Sequence, residues 1–116
     1  MIRVRFHHVT EIRMGSPYGI CRIRLDGDWR PDLPETDWQN LSARSPDGMR
    51  LALVRWDTPG NQPGFRLYVL DSLARQVSVS ERFPGCCYRL WWQDDQRIAW
   101  EAFPEGQGVY DVGTEA

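Results

Sequence analysis

Apolar and polar side chains alternate with a period of two along most of the chain, as expected of strands with one face on a core and one in water. Ile2, Val4 and Phe6 alternate with Arg3, Arg5 and His7, and Cys21, Ile23 and Leu25 with Arg22 and Arg24. Phe65, Leu67 and Val69 are set against Arg66 and Tyr68, and Val77 and Val79 against Ser78 and Ser80. Tyr88, Leu90 and Trp92 alternate with Arg89 and Trp91, and Ile98, Trp100 and Ala102 with Glu101 and Phe103. Segment 49–56, Met-Arg-Leu-Ala-Leu-Val-Arg-Trp, is apolar on both faces and predicts a central strand. No window of about 11 residues carries a helical stripe.

Turn chemistry punctuates the strands. Asp26-Gly27, Ser45-Pro46-Asp47-Gly48, Asp57-Thr58-Pro59-Gly60, Pro84-Gly85 and Pro104-Glu105-Gly106 combine residues that accept or fix turn dihedrals. They predict hairpins at 26–28, 45–48, 57–64 and 93–96, and Gly15 to Gly19 reads as a further hairpin loop. Arg30 to Asp37 carries no strand pattern and predicts an acidic loop, and 113–116 a frayed tail. The expected fold is a single all-β domain over 1–116. It is an antiparallel meander of roughly seven to nine strands forming an open sheet pair or sandwich. Its core should hold Val4, Phe6, Ile23, Leu25, Leu51, Leu53, Leu67, Val69, Leu90, Ile98 and Trp100.

Composition narrows the function classes. A chain of 116 residues with 41% hydrophobic and 26% charged residues can build one core without metal or disulfides. The net charge of −2 argues against a dedicated nucleic-acid binder, which carries a basic excess. All fourteen basic residues are arginine, as expected of a GC-rich, bacterial coding sequence. Cys21 and the adjacent Cys86 and Cys87 make a poor disulfide framework, since neighbours on a strand point to opposite faces. No apolar run of about 18 residues could span a membrane, and the start of the chain alternates where a signal peptide would be continuously apolar. A reducing cytoplasm is the compartment expected.

Ser45-Pro46-Asp47-Gly48-Met49-Arg50-Leu51-Ala52 has an echo 47 residues on, in Trp92-Gln93-Asp94-Asp95-Gln96-Arg97-Ile98-Ala99. Phe65 to Leu70, closed by Asp71, echoes Cys21 to Leu25, closed by Asp26. Repeats of this length mark four-strand blades. Ser-Pro-Asp-Gly at 45–48, the apolar strand 49–56 and Leu-Tyr-Val-Leu-Asp at 67–71 resemble a β-propeller blade of the TolB or WD40-like kind. The resemblance implies meander structure and no particular activity. With material for about two blades, against the four to eight of closed propellers, the chain is too short for a closed one.

Candidate chemistry is sparse. His7 and His8 are adjacent and face opposite sides of a strand, with no metal-ligand spacing around them. Cys86-Cys87 follows a Pro-Gly turn, and one of the pair is expected in the core. Ser16, in Gly-Ser-Pro-Tyr-Gly, is misplaced for a nucleophile elbow, and no phosphate-binding loop is present. No catalytic residue, cofactor or metal is expected. The richer signal is charge. Residues 1–25 carry five arginines against one acid, whereas Asp26, Asp28, Asp32, Glu35 and Asp37 crowd the next stretch, bracketed by Trp29 and Trp38. These seven form the candidate partner-binding site, an acidic field with an aromatic anchor for a basic protein. The profile is that of a small bacterial immunity protein neutralising a toxin of the contact-dependent inhibition type. The alternatives are a β module binding nucleic acid or carbohydrate, with Arg22, Arg24, Arg89, Trp91 and Trp92 as a stacking platform, or a propeller-like subunit of a larger assembly.

Overall fold

The computed structural model describes residues 2–11 and 19–112. They form ten strands: β1 Arg3–Glu11, β2 Gly19–Asp26, β3 Trp38–Arg44, β4 Arg50–Trp56, β5 Gly64–Asp71, β6 Gln76–Val79, β7 Phe83–Pro84, β8 Cys86–Trp92, β9 Arg97–Phe103 and β10 Gln107–Asp111. A 3-10 turn at Pro59–Asn61 is the helical element among these residues, and no helix here is long and apolar enough to cross a membrane. Strands β1 to β6 pair in chain order in one antiparallel sheet, with β7 added beside β5. Strands β8 to β10 form a second sheet with β9 in the middle. The architecture is the open antiparallel meander expected, neither a closed barrel nor a propeller.

Strand β4 explains how the sheets stack. Leu51 and Leu53 lie on one face with Ile2, Cys21, Trp38 and Leu70, and Val4, Phe6, Ile23 and Leu25 of the β1–β2 hairpin pack on them. Ala52 and Val54 lie on the other, where Phe65, Leu67 and Val69 meet Cys87, Ile98, Trp100 and Ala102 of the small sheet. Covered on both sides, β4 must be apolar on both. The hairpin joins β3 through one residue pair, Cys21 with Trp38, which lets it fold over the first face. Trp100 stands edge-on to Phe65 at 5.3 Å.

Side chains tie the sheets together at several points, among them Gln39, Trp92 and Arg50, whose Nη1 donates to the Asp95 carbonyl at 2.7 Å. The buried Gln39 amide on β3 donates from Nε2 to the Cys87 carbonyl at 2.6 Å and accepts the Cys87 N–H at 3.3 Å. Trp92 Nε1 donates to the Ala43 carbonyl at 2.9 Å. The turns at 45–48 and 93–96 use one device: Asp47 Oδ1 accepts the Met49 N–H at 2.9 Å, and Asp94 Oδ1 that of Gln96 at 2.8 Å. The two turns touch where Asp47 N–H donates to Asp95 Oδ1 at 2.9 Å. At the crossing between sheets, Gly85 has φ 95°, and a Cβ there would sit 2.6 Å from the Phe103 carbonyl oxygen, so only glycine fits.

Two expectations need correction, the hairpin at 26–28 and the full burial of the core. Residues 26–28 do not turn a hairpin: β2 runs into the irregular stretch 27–37 before β3 begins. Pro31 and Pro34 lack the N–H groups a partner strand would need. On β6, Val77 and Val79 face outward at 36% and 46% exposure, while Ser80 just beyond the strand is buried. The Ser80 hydroxyl accepts the Leu67 N–H at 2.8 Å and donates to the Glu81 carbonyl at 2.7 Å, so a polar side chain completes the β5 ladder. Of the expected core, Val4, Phe6, Ile23, Leu25 and Leu90 are half-buried, and the other six are buried, together with Trp38, Phe65, Val54 and Leu70. The loop expected at Gly15 to Gly19, except for Gly19 itself, and the 113–116 tail lie outside the described residues.

Candidate binding surface

The stretch 27–37 lacks strand and helix, yet its end, 34–37, is fixed at four successive carbonyls. Trp38 Nε1 donates to Pro34 O at 2.8 Å, Ile23 N to Glu35 O at 3.3 Å, Arg55 Nε to Thr36 O at 3.1 Å and Trp56 N to Asp37 O at 2.7 Å. Trp29 and Leu33 pack onto the cluster around Leu51 and Leu53. Asp37 adopts φ 73°, a left-handed conformation that aspartate tolerates better than most residues, and this turns the chain into β3.

The seven expected site residues divide by environment. Asp28, Asp32 and Glu35 are exposed. Asp26, half-buried, pairs with Arg5 at 3.1 Å; Glu35 pairs with Arg22 at 2.6 Å; and Asp37 lies 3.5 Å from Arg55. Asp26, Glu35 and Asp37 therefore meet arginines of the chain itself, and the field presented outward is weaker than a bare count of acids suggests. Neither tryptophan is a free anchor. Trp38 is fully buried, edge-on to Tyr68 at 4.9 Å, and Trp29 is half-buried against the core. An indole between charged neighbours in sequence still partitions inward when a hydrophobic cluster lies beside it.

The stacking platform does not assemble. Arg22 and Arg24 project from the β1–β2 hairpin, whereas Arg89 and Trp91 lie on the other sheet and Trp92 turns inward. Arg89 stacks on Trp91 at 4.5 Å and pairs with Glu101 at 3.0 Å. Burial pushes the Cys21 thiol up to about 11 and the Cys87 thiol up to about 12. Both are held as inert thiols. No group of three or more metal-ligating side chains occurs among the described residues.

The feature missed in the sequence is a cleft of about 310 Å3 lined by Arg55, Trp56, Asp57, Arg66 and Tyr68. Arg55 and Arg66 sit directly opposite each other on β4 and β5. The signal for it was two arginines at mirrored distances from the 57–64 turn.

No protein-family model, curated protein or solved structure matches this chain.

Proposed function

We propose that the protein is a non-catalytic binding protein of the immunity type. It docks the exposed carboxylates of segment 26–38 onto a basic protein partner, a bacterial toxin domain of the contact-dependent inhibition class, and neutralises it. The observation that carries this reading is the pinned loop: four consecutive carbonyls, Pro34 to Asp37, are hydrogen-bonded to the fold while Asp28, Asp32 and Glu35 stay exposed. A loop ordered before binding loses little conformational entropy on association, and its field steers a basic partner. The tryptophans hold the loop in place, and the contact itself falls to the carboxylates. The three free cysteines fit a reducing compartment such as the cytoplasm.

The test is co-expression with the toxin-like product of a neighbouring gene in the native host, followed by association kinetics with the purified pair. The triple variant Asp28→Asn, Asp32→Asn, Glu35→Gln should keep its melting temperature within a few degrees, since exposed pairs contribute about 0–1 kcal/mol. It should associate about tenfold or more slowly at low salt, with the difference masked at high salt. Equal association rates at low salt would remove the loop from the interface, and failure to rescue growth would remove the immunity reading.

A further inference from the structure

The cleft beside the 57–64 turn has a construction the acidic loop does not explain. Arg55 and Arg66 face each other across β4 and β5 on one face of the sheet, and like charges directly opposite are unfavourable unless something neutralises them. Each guanidinium is fixed along one edge. Arg55 donates from Nε to Thr36 O at 3.1 Å and reaches Asp37 at 3.5 Å from Nη2. Arg66 donates from Nε to Asp57 at 2.8 Å and from Nη1 to Ser80 O at 3.0 Å. Nη1 of Arg55 and Nη2 of Arg66 have no partner among the described residues. Arg82 stands behind them, its Nε 4.0 Å from Asp57, with its guanidinium laid against Gly64 where a side chain would displace it.

Three guanidiniums, Arg55, Arg66 and Arg82, thus meet two carboxylates, Asp37 and Asp57, leaving one positive charge. Tyr68 supplies a half-buried aromatic wall with a hydroxyl on the face of the two arginines, and Trp56 and Asp57 border the cleft where β4 ends. We infer that this cleft binds a carboxylate. A planar pair of oxygens matches a guanidinium fork, and a single negative charge cancels the surplus where a phosphate dianion would overshoot it. The volume of about 310 Å3 takes a short chain or one ring behind the carboxylate. The group comes either from a free small acid or from an acidic side chain of a docked protein. The cleft shares Arg55 and Asp37 with the anchored end of the acidic loop, but it uses none of the exposed carboxylates Asp28, Asp32 and Glu35.

The experiment follows the arginine Nε–H resonances of the 15N-labelled full chain. It is titrated with propionate, with a capped Ala-Glu-Ala peptide and with inorganic phosphate. Saturable shifts at Arg55 and Arg66, tighter for the carboxylates than for phosphate, are expected. A tighter peptide identifies a protein side chain as the source, and a tighter propionate a free acid. Arg66→Gln should abolish the response, and Arg24→Gln, on the exposed hairpin, should leave it unchanged. Asp57→Asn adds one positive charge to the cleft and should tighten binding several-fold with phosphate gaining most, a gain that misfolding cannot mimic. Absence of saturable shifts at Arg55 and Arg66, preference of the wild type for phosphate, or equal sensitivity to Arg24→Gln would each overturn the assignment.

Discussion

Replacing Gln39 by Leu keeps the side-chain volume and removes both hydrogen bonds that cross from β3 to Cys87. The bonds are unequal: the 2.6 Å contact from Nε2 to the Cys87 carbonyl is short, and the 3.3 Å contact from the Cys87 N–H is long. The pair contributes about 1 kcal/mol per bond net, and stranding a buried donor or acceptor costs about 1–3 kcal/mol for each group. With Gln39 4% exposed, no water replaces the amide without opening the interface. Gln39→Leu should therefore cost about 2–5 kcal/mol, with the better burial of leucine setting the lower end. That is a large share of the roughly 5–15 kcal/mol expected for a domain, and corresponds to a fall in Tm of about 10–20 °C. Urea melts followed by tryptophan fluorescence measure the loss, and hydrogen exchange at the Cys87 amide localises it. Gln39→Glu separates hydrogen bonding from packing. An ionised carboxylate there faces the Cys87 carbonyl with no proton to offer, so burial raises its folded pKa above the unfolded value of about 4.3. The raised value makes stability highest near pH 4, where the protonated acid donates as the amide does, and lowers it as the pH climbs toward 7. A cost below about 1 kcal/mol for Gln39→Leu, or a pH profile for Gln39→Glu parallel to wild type, would refute the tie.

Leu53→Ala in the doubly covered strand β4 should cost about 2–5 kcal/mol by urea titration, as a cavity in a site flanked on both sides. The Asp47 carboxyl lies below the usual carboxylate range, held there first by the Ser45 hydroxyl and then by the Met49 N–H, and Asp94 likewise by the Gln96 N–H and Arg97. Lowered folded values make their contribution full above the unfolded value of about 4 and lose it as the pH falls through the lower folded ones. The double variant Asp47→Asn, Asp94→Asn, which keeps the turn acceptors, should flatten the acid limb of the urea midpoint below about pH 4. With Cys21 at about 11 and Cys87 at about 12, a thiol reagent at pH 8 should label at most Cys86 in the native protein and all three in urea, as read by mass spectrometry.

Strand positions were legible because alternation is local: Leu51, Leu67 and Ile98 sit where the period put them. Alternation does not say which of its two sets faces inward. On β6, Val77 and Val79 lie opposite Leu70 and Tyr68 yet stay exposed at the end of the sheet, while Ser80, bonded to the Leu67 N–H, is buried. Tertiary partners were illegible for the same reason. Nothing in the sequence marks Gln39, because its role depends on Cys87, far along the chain and in the other sheet. At the candidate surface, the acids were visible as a composition change. Their neutralisation by Arg5, Arg22 and Arg55 was not, because it arises only when the hairpin and β4 come beside the loop.

The bonds between the two sheets also set an order in time. Gln39 with Cys87, Arg50 with Asp95 and Ala43 with Trp92 join residues 45 to 49 positions apart, whereas β3 and β4, β5 and β6, β8 and β9, and β9 and β10 are joined by short turns. Closing a loop of about fifty residues costs roughly 3.5 kcal/mol in chain entropy, against about 1.4 for a turn of five. The hairpins around β4 can therefore assemble before β8 reaches β3, and β8 to β10 dock afterwards as a unit. Run backwards, the same asymmetry makes that docking the first contact to open. Amides of β9 should then exchange through a partial opening that leaves β4 and β5 protected.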